Sequence, residues 1–180
     1  MKKHIIASIV GGILIFFWQF LSNAALDLHR PAQQYTPKQD TVIQFLQQHL
    51  QQGRYFIPTT PVGASSEEQQ KLNEQMTGKA WAIVDIHTAW NADMGMNITR
   101  GFLTTVVMVY LLCWILLQGG ITKFSTILLA SIFVGLIAFL NFPYAYFIWY
   151  KSPGIWADFN DAWIPWTLNG LWLGFYLGRK

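Results

Sequence analysis

The chain alternates long apolar runs with one long polar interlude. No Asp, Glu, Lys or Arg occurs in 5–26, 101–122, 124–150 or 162–178. A charge-free apolar run of about 18 residues or more reads as a transmembrane helix, because crossing ~30 Å of hydrocarbon at about 1.5 Å per residue takes about 20 residues. The pattern predicts an all-α membrane protein of four transmembrane helices. The first lies in residues 1–22, and a three-helix region, 100–180, holds the others at about 101–118, 124–149 and 161–178. Residues 23–99 form a small α+β insertion between helices 1 and 2.

Within the insertion, Thr36-Pro37 predicts a helix start, with a hydroxyl cap, Pro at the first helical position and Asp40 in the first turn. Val42, Ile43, Leu46 and Leu50 recur at helical spacing, and Gly53 is a stop signal. Arg54–Ile57 reads as a short strand ended by Pro58. Ser65-x-x-Glu68 reads as a capping box for a polar helix running to about Met76. Lys79–His87 reads as a second strand, carrying Trp81, Ile83, Val84 and Ile86. So few apolar residues make a marginal independent domain, so the insertion is expected to lean on the membrane surface or on the helix ends.

Composition reinforces the pattern. Only 12% of residues are charged, against about 25% in soluble proteins, and 53% are apolar. The net charge of +3 matters less than its placement. With the N-terminus inside, the short inner flanks hold Lys2, Lys3, Lys123, Arg179 and Lys180 and no acid. This is the positive-inside signal, and it predicts cytoplasmic termini with residues 23–99 extracytoplasmic. Lys2-Lys3-His4, the apolar run and Ser22-Asn23-Ala24 also resemble a cleavable secretory signal. The run Ile5–Leu21 exceeds the usual signal core of about 7–15 residues and ends in bulky Phe16, Phe17, Trp18 and Phe20, so a retained helix is expected.

Small residues mark the faces on which these helices could meet. Ala7-xxx-Gly11 and Ser8-xxx-Gly12 lie in the first, Ser131-xxx-Gly135 in the third, and Gly170, Gly174 and Gly178 form a row in the fourth. Polar groups at membrane depth are costly, which makes Gln19, Asn141, Asp161 and Asn169 functional candidates. Asn169 is expected to hydrogen-bond another helix. Asp161 is expected to cap the fourth, with Pro165 in its first turn. Trp149, Trp156, Trp163, Trp166 and Trp172, five of the nine tryptophans, crowd the region around the last loop. Residues 142–156, with Tyr144, Tyr146, Trp149 and Tyr150, read as an interfacial belt, and 162–178 as a packing half. A second reading has Tyr144, Trp149, Tyr150, Trp156 and Trp166 lining a shallow ligand pocket, with Asp161 and Asn169 as polar contacts and Lys151 at its rim. Such a pocket would suit a lipid head group, a quinone-like ring or a cation over a π face.

Catalytic chemistry leaves little trace. HExxH, GxSxG, Walker and CxxC patterns are missing, and His4, His29, His49 and His87 lack metal-ligand spacing. Cys113 sits alone in an apolar run and reads as a buried residue. Asp85 and His87 would share the wet face of a strand. The expectation is a non-enzyme without cofactor or metal and with no nucleic-acid partner. A membrane enzyme would need titratable residues such as His29, Asp85, His87 and Asp161 to meet in a polar cavity.

The chain resembles a family of small four-span bacterial inner-membrane proteins of uncharacterised function. The resemblance rests on Gly11-Gly12-x3-Phe16-x-Trp18-x3-Ser22 and on Asp40 and Gly53-x-Tyr55-x-x-Pro58. It rests also on Pro143-Tyr144, Trp149-Tyr150-x-x-Pro153 and Asp161-x4-Trp166-x-Leu168-x-Gly170. The chain departs from the family at Lys151-Ser152, Pro165 and Asn169. The resemblance implies the membrane architecture and no activity. The functional expectation is a structural or accessory component that meets the lipid bilayer and either another membrane protein or its own copies through small-residue helix faces. The alternative is a lipid or small-hydrophobic-ligand binder or transporter that uses the aromatic corner.

Overall fold

The computed structural model describes residues 2–90 and 93–178. It divides into two compact units, one of Met1–Gln34 with Asp93–Lys180 and one of Tyr35–Ala92. In chain order the helices are α1 (Lys2–Phe20), α2 (Gln39–His49), α3 (Ser66–Met76), α4 (Met94–Gln118), α5 (Phe124–Phe139), α6 (Ala145–Tyr150) and α7 (Ile155–Leu177), with strands β1 (Gly53–Ile57) and β2 (Ala82–Ile86). Among the described residues, three stretches are long and apolar enough to cross a membrane: Lys2–Ala25, Met94–Gln118 and Phe124–Tyr150.

The third of these is continuous through a proline. Pro143 has no N–H and its ring displaces the carbonyl one turn back. The chain absorbs the fault in a wide π-helical turn, Leu140–Tyr144, between α5 and α6. The helix then ends at Lys151, which adopts a left-handed conformation (φ 48°), and Gly154 (φ 91°) does the same immediately before α7. Two left-handed residues so close together reverse the chain in a minimal loop, so α7 starts at Ile155 rather than at the predicted 161. Asp161 is consequently in the second turn and caps nothing, and Pro165 lies in the helix interior instead of its first turn.

The helices pack chiefly in the order α4, α1, α7, α5. α7 runs antiparallel along all of α5. Phe159 meets Phe139 edge-on at 5.3 Å, Ala162 and Trp166 cover Gly135, Gly170 lies on Leu128 and Ser131, Gly174 lies on Phe124, and Gly178 reaches the Thr122 carbonyl. α1 is antiparallel to α4, through Phe16–Phe102, Gly12 with Val106, and Gly11 with Val109. It also meets α7, where the Trp172 indole donates to the Ala7 carbonyl at 3.1 Å. All six predicted packing glycines, Gly11, Gly12, Gly135, Gly170, Gly174 and Gly178, thus sit at contacts too close for a Cβ.

The bundle buries an apolar cluster that includes Ile15, Val109, Leu112, Leu116, Ile127 and Leu173. Small and polar residues such as Ser8, Thr105, Ser131 and Asn169 are buried, while Ile9, Ile13, Leu111, Ile115, Phe133 and Ile137 are exposed. In hydrocarbon, close backbone approach and interhelical hydrogen bonds hold helices together alongside such apolar packing. The Thr105 hydroxyl lies 2.8 Å from its own helix's Phe102 carbonyl and 3.0 Å from the Gly12 carbonyl of α1.

In the second unit, β1 and β2 pair antiparallel with Tyr55 opposite Val84, close to the predicted strands. The capping box is present: Glu68 N–H donates to Ser65 Oγ at 3.2 Å and Ser65 N–H to the Glu68 carboxylate at 2.8 Å, and these bonds hold the Glu68 carboxyl below its usual range. α2 departs from expectation at both ends. Thr36 accepts from Lys38 N–H in a preceding turn instead of capping, and Gly53 opens β1 instead of closing the helix. Among the described residues of this unit, Ile86 is the one fully buried hydrophobic side chain, whereas Val42, Ile43, Phe45, Phe56 and Trp81 are exposed. Residues 26–34 belong with the helices, and α4 begins at Met94, so the unit is narrower than the predicted 23–99.

Candidate functional site

The early start of α7 decides where its acids point. Asp158 and Asp161, three residues apart, share one face of the helix. Beyond α1 the chain makes a π-helical turn, takes a left-handed conformation at Asp27 (φ 49°), bonds Leu28 N–H to the Ser22 carbonyl, and closes a 3₁₀ turn at Arg30–Ala32. This folds His29 back onto α7. Its Nε2 lies 2.8 Å from Asp161 Oδ2, while the Trp18 indole N–H donates to Asp161 Oδ1 at 2.9 Å. Both Asp161 oxygens are occupied, and His29 and Asp161 are about four-fifths buried, at 20% and 22% exposure. The Asp158 carboxylate has no hydrogen-bond partner among the described residues.

Asp158 and Asp161 border a groove of about 230 Å³. Its apolar lining includes Ile15, Met108, Phe139, Pro143 and Trp166, and its polar lining is Gln19, Asp158 and Asp161. The site therefore offers acceptors and negative charge beside an apolar floor. Among the described residues no set of three His, Cys, Asp or Glu side chains is arranged to hold a metal ion.

The predicted aromatic pocket does not assemble as a unit. Trp166 is buried against Gly135 and faces the groove rather than the loop. Trp149 points outward at 78% exposure, and the Tyr150 ring lies tilted by 44° against Tyr146 at 4.7 Å. Tyr144 and Trp156 do line a depression of about 340 Å³, with Phe139, Phe147, Ile155 and Phe159, but it is almost wholly apolar. The Lys151 ammonium sits 5.2 Å from the Phe147 ring centroid. Asn169 is fully buried and makes an interhelical bond, Nδ2 donating to Ser131 Oγ at 3.3 Å, while Ser131 donates to the Trp166 carbonyl at 2.7 Å. Its Oδ1 has no hydrogen-bond partner among the described residues and abuts Gly11. Rings at the loop and the amide in the core therefore belong to different surroundings, separated by close α5–α7 packing.

Asp85 is engaged by the Arg54 guanidinium at 2.7 and 2.9 Å, and this holds its carboxyl below the usual range. His29 and Asp161 are thus the titratable pair that meets. Sequence reasoning missed Trp18, His29 and Asp158 as partners of Asp161. The first two lie 143 and 132 positions away from it, so no spacing could have linked them. Compared with protein-family models, curated proteins and solved structures, the chain finds no match.

Proposed function

We propose that the protein is a four-span component of the bacterial inner membrane, with cytoplasmic termini and an extracytoplasmic Tyr35–Ala92 unit. It acts as a non-enzymatic accessory to another membrane protein. The fourth span is supported by α7 itself: 23 residues reach ~34 Å, and α7 lies antiparallel along α5 from Phe139 to Thr122. The charge asymmetry of the flanks supports the orientation, and the resemblance at the N- and C-terminal motifs supports the membrane type.

One observation carries the accessory role. The Tyr35–Ala92 unit buries little beyond Ile86 while exposing Phe45, Phe56 and Trp81. A domain of this size with so little core is marginal alone, and exposed apolar area of this kind marks an interaction surface. Photo-crosslinking residues at Phe45 and Trp81 should join the chain, in cells, to one membrane protein that also co-purifies in mild detergent. The same residue at Gln70, on polar α3, should not. Recovery of the chain alone and monomeric, without crosslinks, would contradict the role.

The groove beside Asp158 and Asp161 favours a second reading, ligand binding within the bundle.

A further inference from the structure

We propose that the groove bordered by Asp158, Asp161 and Gln19 binds a primary ammonium group carried on an aliphatic body. The proposal rests on the ligand-binding reading and does not depend on the accessory one. Three features point to this chemistry. The floor, with Ile15, Met108, Phe139 and Trp166, accepts an aliphatic chain and offers it no polar partner. Two carboxylates and the Gln19 amide make up its polar lining, and no Lys or Arg among the described residues lines the groove.

The two carboxylates are also unequal. Asp161 is saturated by Trp18 and His29. Asp158 is held one turn earlier on the same face, and no described residue donates a hydrogen bond to its carboxylate. With both carboxylates ionised, a protonated His29 leaves the trio one negative charge in excess, and a neutral His29 leaves two. An ammonium has three donors and no acceptor, so it suits Asp158 and the Gln19 carbonyl oxygen together. An anionic or purely acceptor head group would meet repulsion from both acids. Asp158 is the group that touches the ligand, and Asp161, through its clasp with His29 and Trp18, is a positioning residue.

The full chain in neutral maltoside micelles is titrated calorimetrically with dodecylammonium, and with dodecyl sulfate as the anionic match, against empty micelles. The expected result is one saturable ammonium site and none for the sulfate. Asp158→Asn should weaken binding about tenfold, or about 1.4 kcal/mol, and Asp158→Glu should retain it. Ala138→Phe, at an exposed position on the groove wall, should abolish it. Unchanged thermal unfolding of the variants checks that each folds. Competition by phosphatidylethanolamine would identify a bilayer lipid as the source of the amine; its failure to compete would point to a free alkylamine. Equal binding of ammonium and sulfate, or wild-type ammonium binding by both Asp158→Asn and Ala138→Phe, overturns the proposal. Neither result bears on whether a protein partner crosslinks at Phe45.

Discussion

Gly135→Ala tests the packing of the α5–α7 seam with a single methyl group. A Cβ at Gly135 would overlap the Ala162 carbonyl oxygen and lie 2.7 and 2.8 Å from two ring carbons of Trp166. Optimal carbon contacts are about 3.5–4.0 Å, so α7 must retreat by roughly 1 Å. A gap of that size forfeits about a quarter to a half of each dispersion contact it opens. Gly170 and Gly174 are equally tight against Ser131 and Phe124, at 2.9 and 2.7 Å from a notional Cβ, so the loss spreads along the seam. The Ser131–Trp166 hydrogen bond, 2.7 Å long, stretches with it. Overpacking costs about 1–3 kcal/mol and a weakened interhelical bond costs up to about 1 more, while alanine's helix propensity returns about 1. The net expectation is a loss of about 2 kcal/mol. Gly101→Ala is the control, because its Cβ would meet the Phe16 ring at an ordinary 3.4 Å. It should be neutral or stabilising by up to about 1 kcal/mol. Reversible unfolding in mixed maltoside and dodecyl sulfate micelles, followed by circular dichroism, reads both. A Gly135→Ala variant as stable as wild type, or less damaging than Gly101→Ala, would refute the reasoning.

Other perturbations probe separate parts of the molecule. Ser131→Ala removes the hydroxyl that links Asn169 to the Trp166 carbonyl and should cost about 1 kcal/mol in the same unfolding assay; no change would mean that the Asn169 chain contributes nothing. Asp161→Asn and His29→Ala should each speed amide hydrogen exchange over residues 26–34 while leaving exchange in the middle of α5 unaltered, since the clasp is what folds that segment onto α7. Unchanged exchange in 26–34 would contradict this. In the second unit, Arg54 lowers the Asp85 pKa, so the pair's contribution is complete above the ordinary carboxylate range and fades as pH falls through the lowered value. Arg54→Met should return the Asp85 carboxyl titration, followed by carbon NMR on the full chain, to the ordinary range; an identical titration in both proteins would show that Arg54 is not the cause.

Much of the fold was legible in the sequence because hydrocarbon imposes a simple rule. Charge-free runs located three membrane-length helices, small-residue spacing marked their contact faces, and the Ser65–Glu68 box and both strands followed from local chemistry. The start of α7 was not legible. Asp161 and Pro165 looked like an N-terminal cap and first turn, but the left-handed pair Lys151 and Gly154 turned the chain earlier, and no local pattern outweighed the Pro165 signal. That one displacement also hid the site. With Asp161 in the second turn, its side chain faces α1 rather than its own backbone, and its partners come from chain positions far away. The aromatic corner misled for the opposite reason: clustering in sequence gave proximity, but helical period sent Trp166 inward and Trp149 outward.

Cysteine labelling across the membrane tests the four-span arrangement most directly. Native Cys113 is fully buried and gives a silent background. Single cysteines would replace Val62 in the Tyr35–Ala92 unit, Trp156 at the start of α7, and Thr122, beside which α7 ends. A membrane-impermeant maleimide is then applied to intact spheroplasts. Four spans with an outward unit predict labelling of Val62→Cys and Trp156→Cys from outside, and of Thr122→Cys only after permeabilisation. Labelling of Thr122→Cys in intact spheroplasts, or protection of Trp156→Cys until they are opened, would contradict it.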